Sequence, residues 1–222
     1  MGGTGLRLFL DTAEEAAWRA WLPSGLFHGV TTNPTLLAAA RKPCSVGEIE
    51  LLASAAFGLG AQELQAQSWG RTAKALYTNG RALAAIDDRV VVKVPITREG
   101  AEAAARLIAE GVGVTMTAVY AAHQGLSAAA LGARYVAPYL GRMNDAGRDG
   151  FAEIVAMAEL MRAAGGATRI LVASLRAADD LVRLARAGVD TFTFGPKVAE
   201  ALFADPLTAA AAEAFEKAAE GG

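Results

Sequence analysis

The sequence of 222 residues is poor in the residue types that mark disulfide-rich, zinc-binding and membrane proteins. It contains one cysteine, Cys44, which excludes an internal disulfide and is typical of a reducing compartment. Its two histidines, His28 and His123, are far apart and have no partner at metal-ligand spacing. No apolar run approaches the ~20 residues of a membrane span, and the N-terminus lacks the pattern of a signal peptide. We therefore expect a cytoplasmic protein without a metal site.

The sequence also lacks a strong excess of charge. Its 21 Lys and Arg residues nearly balance 23 Asp and Glu residues, so the net charge is −2 and the pI is about 5.8. This balance gives no electrostatic reason to expect nucleic acid or an anionic membrane as a partner. A Walker-type phosphate loop is absent. Because no change in composition marks a linker, we expect residues 1–222 to form a single domain.

Short apolar runs alternate with helical patterns along the whole chain. The predicted strands are Leu6–Leu10, Phe27–Thr31, Glu63–Gln67, Val90–Val94, Val114–Val119, Tyr135–Tyr139, Arg169–Ala173 and Thr191–Phe194. Strict alternation favours a parallel sheet, and eight such units favour its closure into an α/β fold of the (β/α)8 (TIM) barrel type. The rival is an open doubly wound sheet, but Leu10–Ala13 lacks its glycine-rich fingerprint. We predict a polar loop at 141–150 and an additional C-terminal helix near 208–219.

The run Val90–Pro95 carries a lysine inside an apolar strand. A strand of β-branched residues is typically covered on both faces, so we expect Lys93 to be buried. Burial without an adjacent carboxylate lowers the pKa of a lysine and leaves a neutral, nucleophilic amine. Pro95 ends the strand, which puts Lys93 near the carboxyl end where barrels carry their chemistry. The alternative is a lysine that extends from the strand end into solvent.

Polar residues also occur at the ends of the other predicted strands. Side chains two positions apart share a face of a strand, and in a closed barrel those near the carboxyl ends converge. The residues of this kind are Asp11, Thr31, Asn33, Gln65, Gln67, Thr115, Thr117, Ser174 and Arg176. Buried polar groups are costly unless they are bonded, so such convergence favours a site. The alternative is a structural plug of hydrogen bonds.

Each group has a chemical use beside a nucleophilic amine. A Schiff base turns a ketone into an electron sink, and carbon–carbon cleavage next to it then needs a base, supplied directly or through a held water. Gln67, Thr117 and Tyr139 are suited to hold that water. Asp11 and Asn33 are suited to orient substrate hydroxyls, although Asp11 could serve only as a helix-start residue.

A phosphate group has candidate ligands as well. Arg142 and Arg176, with Ser174, could bind a phosphate through charge-assisted hydrogen bonds. The alternative for both arginines is a solvated surface position. An imine replaces a metal as electron sink, so we expect no exogenous cofactor.

Five stretches stand out by their combination: Leu8–Thr12, Gly29–Thr35, Val90–Pro95, Thr117–Gln124 and Tyr135–Arg142. Together they resemble the small transaldolase family, and most closely its fructose-6-phosphate aldolase branch. The resemblance implies a (β/α)8 barrel and a class I mechanism with Lys93 as the Schiff-base lysine. It further implies polar roles for the matching positions, with substrate-binding residues Thr31 and Asn33, Thr117 near the catalytic water, and phosphate contacts at Arg142, Ser174 and Arg176.

Two positions distinguish the branches of this family. Transaldolases usually carry Glu at Gln67 and Phe at Tyr139, whereas the aldolases resemble this sequence at both. We therefore expect reversible cleavage of fructose 6-phosphate to dihydroxyacetone and glyceraldehyde 3-phosphate. Transaldolase activity is the alternative, weakened by Thr115 where transaldolases typically carry Asn, and a non-catalytic phosphate-binding barrel is the distant one.

The resemblance also bears on assembly. In the relatives the terminal helix packs on a neighbouring subunit of a decamer built from two pentamers. We therefore expect a homo-oligomer, a pentamer or a decamer, although the tail after Phe215 is short and rich in alanine.

Overall fold

The computed structural model describes residues 5–221 and contains a closed barrel of eight parallel strands. The strands β1 to β8 are, in order, Arg7–Asp11, Gly29–Thr31, Glu63–Gln67, Val90–Pro95, Val114–Val119, Tyr135–Pro138, Arg169–Val172 and Thr191–Phe194. Each strand pairs with the next along the chain, and β8 closes the barrel on β1. The predicted fold class is confirmed. Residues 1–4 and 222 of the predicted domain lie outside the described residues, and the single domain stays a prediction.

Helices follow the strands and cover the outside of the barrel. The helices α1 to α11 are, in order, Glu15–Trp21, Pro34–Ala39, Val46–Gly58, Ala73–Ala84, Arg98–Ala109, Ala122–Leu131, Leu140–Asp145, Gly150–Ala164, Ala178–Arg186, Pro196–Ala201 and Pro206–Glu220. Several begin at a side chain that accepts a backbone N–H, such as Ser45 before α3, Thr72 before α4 and Thr97 before α5. Outward-facing residues of the strands, such as Val90 and Val92, join the core beneath these helices.

The loop predicted at 141–150 is wrong, because its first part is the short helix α7. Leu140 and Met143 are buried, and the backbone N–H groups of Leu140 and Gly141 donate to the carbonyls of Ala173 and Ser174. Sequence patterning missed the helix because Gly141 and a polar composition disfavour it locally. Burial of two side chains and hydrogen bonds to residues 173–177, which we call the β7 loop, overcome that preference.

The barrel interior is arranged in layers that separate its two ends. Phe9, Val91, Tyr135, Ala137 and Leu171 form an apolar cluster inside the strands. Polar side chains lie on both sides of this cluster, towards the carboxyl ends and towards the amino ends of the strands. The apolar cluster therefore forms the floor of any site at the carboxyl ends.

The C-terminal helix α11 is present as predicted, but it buries none of its side chains against the described residues. Leu207 is 79% exposed and Phe215 is 72% exposed. Between residues 5 and 221, no helix combines the length and apolar character that crossing a membrane requires.

Candidate active site

Lys93 lies on β4 with its side chain inside the barrel. Only 5% of the residue is exposed, and its Nζ donates to the carbonyl oxygen of Thr32 at 3.0 Å. Burial lowers the pKa of Lys93, while the carboxylate of Asp11 acts in the opposite direction. The predicted burial is confirmed, and the alternative of an amine extending into solvent is excluded.

Strands β3 and β5 place two hydrogen-bonded pairs beside the lysine. In the strand register Lys93 stands opposite Gln67 on one side and Thr115 on the other. The Thr117 hydroxyl donates to Gln67 Oε1 at 3.0 Å, and the Thr115 hydroxyl donates to Gln65 Oε1 at 2.8 Å. Both pairs are buried or half-buried, so their amide and hydroxyl groups are held in fixed orientations.

Asp11 belongs to a short chain of hydrogen bonds at the end of β1. The Thr31 hydroxyl donates to Asp11 Oδ1 at 2.6 Å and lies 2.6 Å from the Thr193 hydroxyl. Since Thr31 uses its only proton on the carboxylate, Thr193 must donate to Thr31. Thr193 was not among the predicted site residues, although its position two residues after Thr191 on the last strand gives it the same inward face.

Asn33 caps helix α2 with its side-chain oxygen. Asn33 Oδ1 accepts hydrogen bonds from the backbone N–H groups of Thr35 at 2.9 Å and Leu36 at 3.1 Å. This arrangement fixes the orientation of the amide and leaves its Nδ2 group as the donor available at the site. Asn33 can therefore donate to a substrate oxygen while its own oxygen stays committed to the helix.

A cavity of about 130 Å³ opens at the carboxyl ends of the strands, and we call it the carboxyl-end cavity. Of the predicted site residues, those that line it are Asp11, Asn33, Lys93, Tyr139, Arg142 and Ser174. Thr31, Gln67 and Thr117 are bonded to or paired with residues around it rather than lining it. The structure thus brings nine of the ten predicted residues to one end of the barrel around a single cavity.

Arg176, the tenth predicted residue, does not line the cavity either, and its side chain is bonded at the rim. Its guanidinium forms an ion pair with the carboxylate of Asp145, through Nη1 at 2.7 Å and through Nη2. Both side chains are more than half exposed, so the pair lies in solvent at the rim. A direct contact between Arg176 and a ligand in the cavity requires this pair to open.

The ring of Tyr139 is held between two neighbours. It packs edge-on against Tyr120, with ring centroids 5.6 Å apart, and the Arg142 guanidinium lies 5.0 Å from its centroid. Burial raises the pKa of Tyr139, and a hydrogen bond from the Ala118 backbone partly opposes this. A hydrogen bond with Tyr120 raises the pKa of Arg142. The Tyr139 hydroxyl is therefore a neutral proton donor, and Tyr120 is a supporting residue that sequence reasoning missed.

Two residues at this end of the barrel have left-handed backbone conformations that non-glycine residues rarely adopt. Ala118 has φ of 56°, at the irregular end of β5, and Ser174 has φ of 59°, just after β7. Such conformations cost about 1–3 kcal/mol and cluster at functional sites. Here they direct the Ala118 backbone towards Tyr139 and place Ser174 at the cavity.

The fold is a (β/α)8 barrel whose candidate site lies at the carboxyl ends of the strands and contains a buried lysine. Residues 8–221 match the family described as Transaldolase/Fructose-6-phosphate aldolase. The chain belongs to this family.

Relatives of similar length support the assignment. A probable transaldolase of Phenylobacterium zucineum is 36% identical over 91% of this chain and 91% of its own. Probable transaldolases of Kosmotoga olearia and Thermus thermophilus are 35% and 36% identical, and each alignment covers at least 91% of both chains. A solved thiamine phosphate pyrophosphorylase from Pyrococcus furiosus has a TM-score of 0.59 at 16% identity, covering 86% of this chain and 85% of its own. That likeness concerns the barrel fold alone.

Proposed function

We propose that the protein is a transaldolase that forms a Schiff base between Lys93 and the ketone of a ketose phosphate. The observation that carries the proposal is the buried amine of Lys93, whose pKa burial lowers. The relatives named probable transaldolases at about 36% identity support the transfer of a dihydroxyacetone unit between sugar phosphates. Sugar phosphates are thus the proposed substrates.

The chemistry starts with attack of the Lys93 amine on the C2 carbonyl of the ketose. The carbinolamine loses water and gives a protonated imine, which can accept the electron pair of the C3–C4 bond. A base removes the proton of the C4 hydroxyl, the aldehyde leaves, and an enamine remains on Lys93. In transfer, the enamine attacks a second aldehyde and the steps reverse. No metal is needed in this sequence, because the imine is the electron sink.

We assign the proton transfers to groups around the cavity. Asp11, held by Thr31, is placed to orient the carbinolamine and substrate hydroxyls, and Asn33 donates to a substrate oxygen. Gln67, Thr117 and Tyr139 are proposed to hold the water that carries protons between substrate and enzyme. Arg142 and Ser174 at the cavity are the proposed phosphate ligands, and a phosphate would compete with Asp145 for Arg176.

A second candidate function is fructose-6-phosphate aldolase, in which the enamine takes up a proton at C3 and water then hydrolyses the imine, releasing dihydroxyacetone and the free Lys93 amine. Gln67 and Tyr139 favour it, because an amide and a phenol hold and protonate a water differently from Glu and Phe. The sequence alone predicted this activity first, whereas the names of the relatives favour the transaldolase.

One assay distinguishes the candidates. The purified protein is given fructose 6-phosphate with and without erythrose 4-phosphate, and free dihydroxyacetone and the transfer product are both measured. Strong transfer with negligible release supports the transaldolase, and release without an acceptor supports the aldolase. Borohydride reduction with dihydroxyacetone should label Lys93 but not the more accessible Lys42, as mapped by mass spectrometry. Labelling elsewhere, or activity that Lys93→Met leaves unchanged, would contradict the Schiff-base role of Lys93, and sugar-phosphate binding without either activity would favour a non-catalytic phosphate-binding barrel.

Assembly and location are part of the same proposal. The exposed Leu207 and Phe215 of α11 favour burial of this helix on another copy of the chain, in a pentamer or decamer. Light scattering of the intact protein and of a chain ending at Asp205 tests this, and an intact monomer would contradict it. We propose a cytoplasmic location on the scarcity of cysteine.

A further inference from the structure

A second, larger cleft lies at the opposite end of the barrel, where the strands begin. It has a volume of about 630 Å³, and we call it the amino-end cleft. Arg7 at the start of β1, Arg169 at the start of β7 and His28 just before β2 line it. The apolar interior cluster that contains Phe9 separates it from Lys93. The chemistry proposed for Lys93 makes no use of these residues.

The arginines around this cleft differ in how their charge is balanced. Arg169 pairs with Asp190 at 2.9 Å, and it also donates through Nε to the Thr191 hydroxyl at 3.1 Å and through Nη2 to the Gly5 carbonyl. Arg134 lies 3.5 Å from Glu63. Arg7, in contrast, has no carboxylate within ion-pair distance among residues 5–221.

The side-chain partner of Arg7 is a neutral phenol. Arg7 Nη1 donates to the Tyr135 hydroxyl at 2.5 Å, and Tyr135 in turn donates to Glu63 at 3.2 Å. Burial raises the pKa of Tyr135 to about 12 and also raises the pKa of Glu63. Arg7 thus keeps most of its fork of N–H donors for a further anion, and the nearest carboxylate that its charge acts on, Glu63, is bonded to Tyr135 instead.

His28 completes the basic lining. Its ring packs edge-on against Phe9, with centroids 5.3 Å apart. Burial, followed by the charges of Arg7 and Arg169, lowers the pKa of His28 to about 4. Glu63 and Asp190 are the acidic groups of the neighbouring elements, and each already has an arginine partner. An anion in the cleft would offset the charges of Arg7 and Arg169, although not the burial, and would thereby raise the pKa of His28.

We propose that the amino-end cleft is a second ligand site, which binds a compact organic dianion through the fork of Arg7, the Nη1 group of Arg169 and the ring of His28. Arginine forks match the oxygens of both phosphate and carboxylate groups. The volume exceeds the need of an inorganic anion and suits a metabolite the size of a sugar phosphate or a dicarboxylate. This site does not depend on the function proposed for Lys93.

The test uses the fact that the chain has two histidines, His28 and His123. Their ring proton NMR signals are followed during titration with sodium sulfate, a dianion that does not titrate near neutral pH, against sodium chloride at equal ionic strength. His28→Gln assigns the signals. We expect a saturable sulfate shift for His28, with a raised pKa, and none for His123. Since binding takes up a proton, sulfate affinity should rise roughly five- to tenfold between pH 7 and pH 5.

Variants separate this site from the carboxyl-end cavity. Arg7→Gln should weaken sulfate binding at His28 at least roughly tenfold, because it removes the unbalanced charge. If Arg7→Gln does not fold, Arg7→Lys replaces it in the test. Arg7→Lys keeps the charge without the guanidinium fork and should also weaken sulfate binding. Arg142→Gln at the other end should leave the His28 response unchanged. Glycerol 3-phosphate and succinate then distinguish phosphate from dicarboxylate as the favoured ligand.

Three results of the titration would overturn the proposal. They are a His28 shift that does not saturate, a shift that chloride reproduces, and a shift that His123 shares. Loss of the His28 response in Arg142→Gln would place the sulfate at the carboxyl-end cavity instead. Retention of full sulfate affinity in both Arg7 variants would also refute the site.

Discussion

Replacing Gly141 with alanine is a stringent test of the proposed phosphate site. A Cβ at this position would lie 2.5 Å from the carbonyl oxygen of Ser174 and 2.8 Å from Nε of Arg176. The first of these is a backbone atom and cannot turn away as a side chain can. The backbone N–H of Gly141 also donates to the same carbonyl at 3.0 Å. Gly141→Ala must therefore push the β7 loop, with Ser174 and Arg176, away from the rim.

The expected cost follows from these contacts. Overpacking of this kind costs about 1–3 kcal/mol, and loss of the Gly141 hydrogen bond adds about 1 kcal/mol. A free energy of unfolding reduced by about 2 kcal/mol would lower Tm by roughly 4–8 °C in a chain of this size. If a similar energy is lost from phosphate binding, KM for fructose 6-phosphate rises roughly 10- to 30-fold.

The assay compares substrates with and without phosphate. Gly141→Ala should raise KM for fructose 6-phosphate but leave borohydride trapping of the dihydroxyacetone imine nearly unchanged, because that step needs no phosphate ligand. Gly47→Ala is the matched control: it lies in α3 with nothing within 4 Å of the added Cβ, so it should be neutral or slightly stabilising. An unchanged KM in Gly141→Ala would refute the assignment of this rim to phosphate. So would a fall in the trapping rate as large as the rise in KM.

Three further predictions concern the lysine and the water. Lys93→Met should abolish trapping yet raise Tm by a few degrees at pH 7. The reason is that a buried lysine whose pKa is lowered in the folded state destabilises the fold at any pH below its unfolded pKa. Thermal melts should show this gain in Tm shrinking towards about pH 10, and a lower Tm at pH 7 would contradict it. Asp11→Asn should move the acidic limb of the pH profile of the trapping rate to lower pH, because the Asp11 carboxylate raises the pKa of Lys93. Asp145 is exposed, and Asp145→Asn, which removes a charge of the same sign at the rim, should leave that limb in place. Tyr139→Phe, alone and with Gln67→Glu, should shift products from free dihydroxyacetone towards transfer about tenfold; an unchanged product ratio would remove both residues from the water-holding role.

The barrel itself could be predicted from local sequence patterns. Strand and helix periodicities differ, and eight alternations leave few architectures other than a closed parallel sheet. Observed strand ends differ from the predicted ones by one or two residues, as at β1 and β2. The same periodicity predicts which side chains face inward, so the burial of Lys93 and the inward faces of Gln67 and Thr117 follow from it.

Other features depend on residues distant in sequence and left no local signal. Helix α7 forms because its first N–H groups meet the carbonyls of the β7 loop. The partners of Thr31 and Arg176, namely Thr193 and Asp145, are 162 and 31 residues away along the chain.

The sequence by itself determined the number and order of the strands and the face on which each polar residue stands, because those properties follow from the backbone period of two. Only the tertiary structure decided what each group contacts. It committed the oxygen of Asn33 to a helix cap and Arg176 to Asp145 at one end of the barrel, and it left Arg7 without a carboxylate partner among the described residues at the other. Hydrogen bonds and charge balance depend on distances between side chains, and closure of the barrel sets those distances.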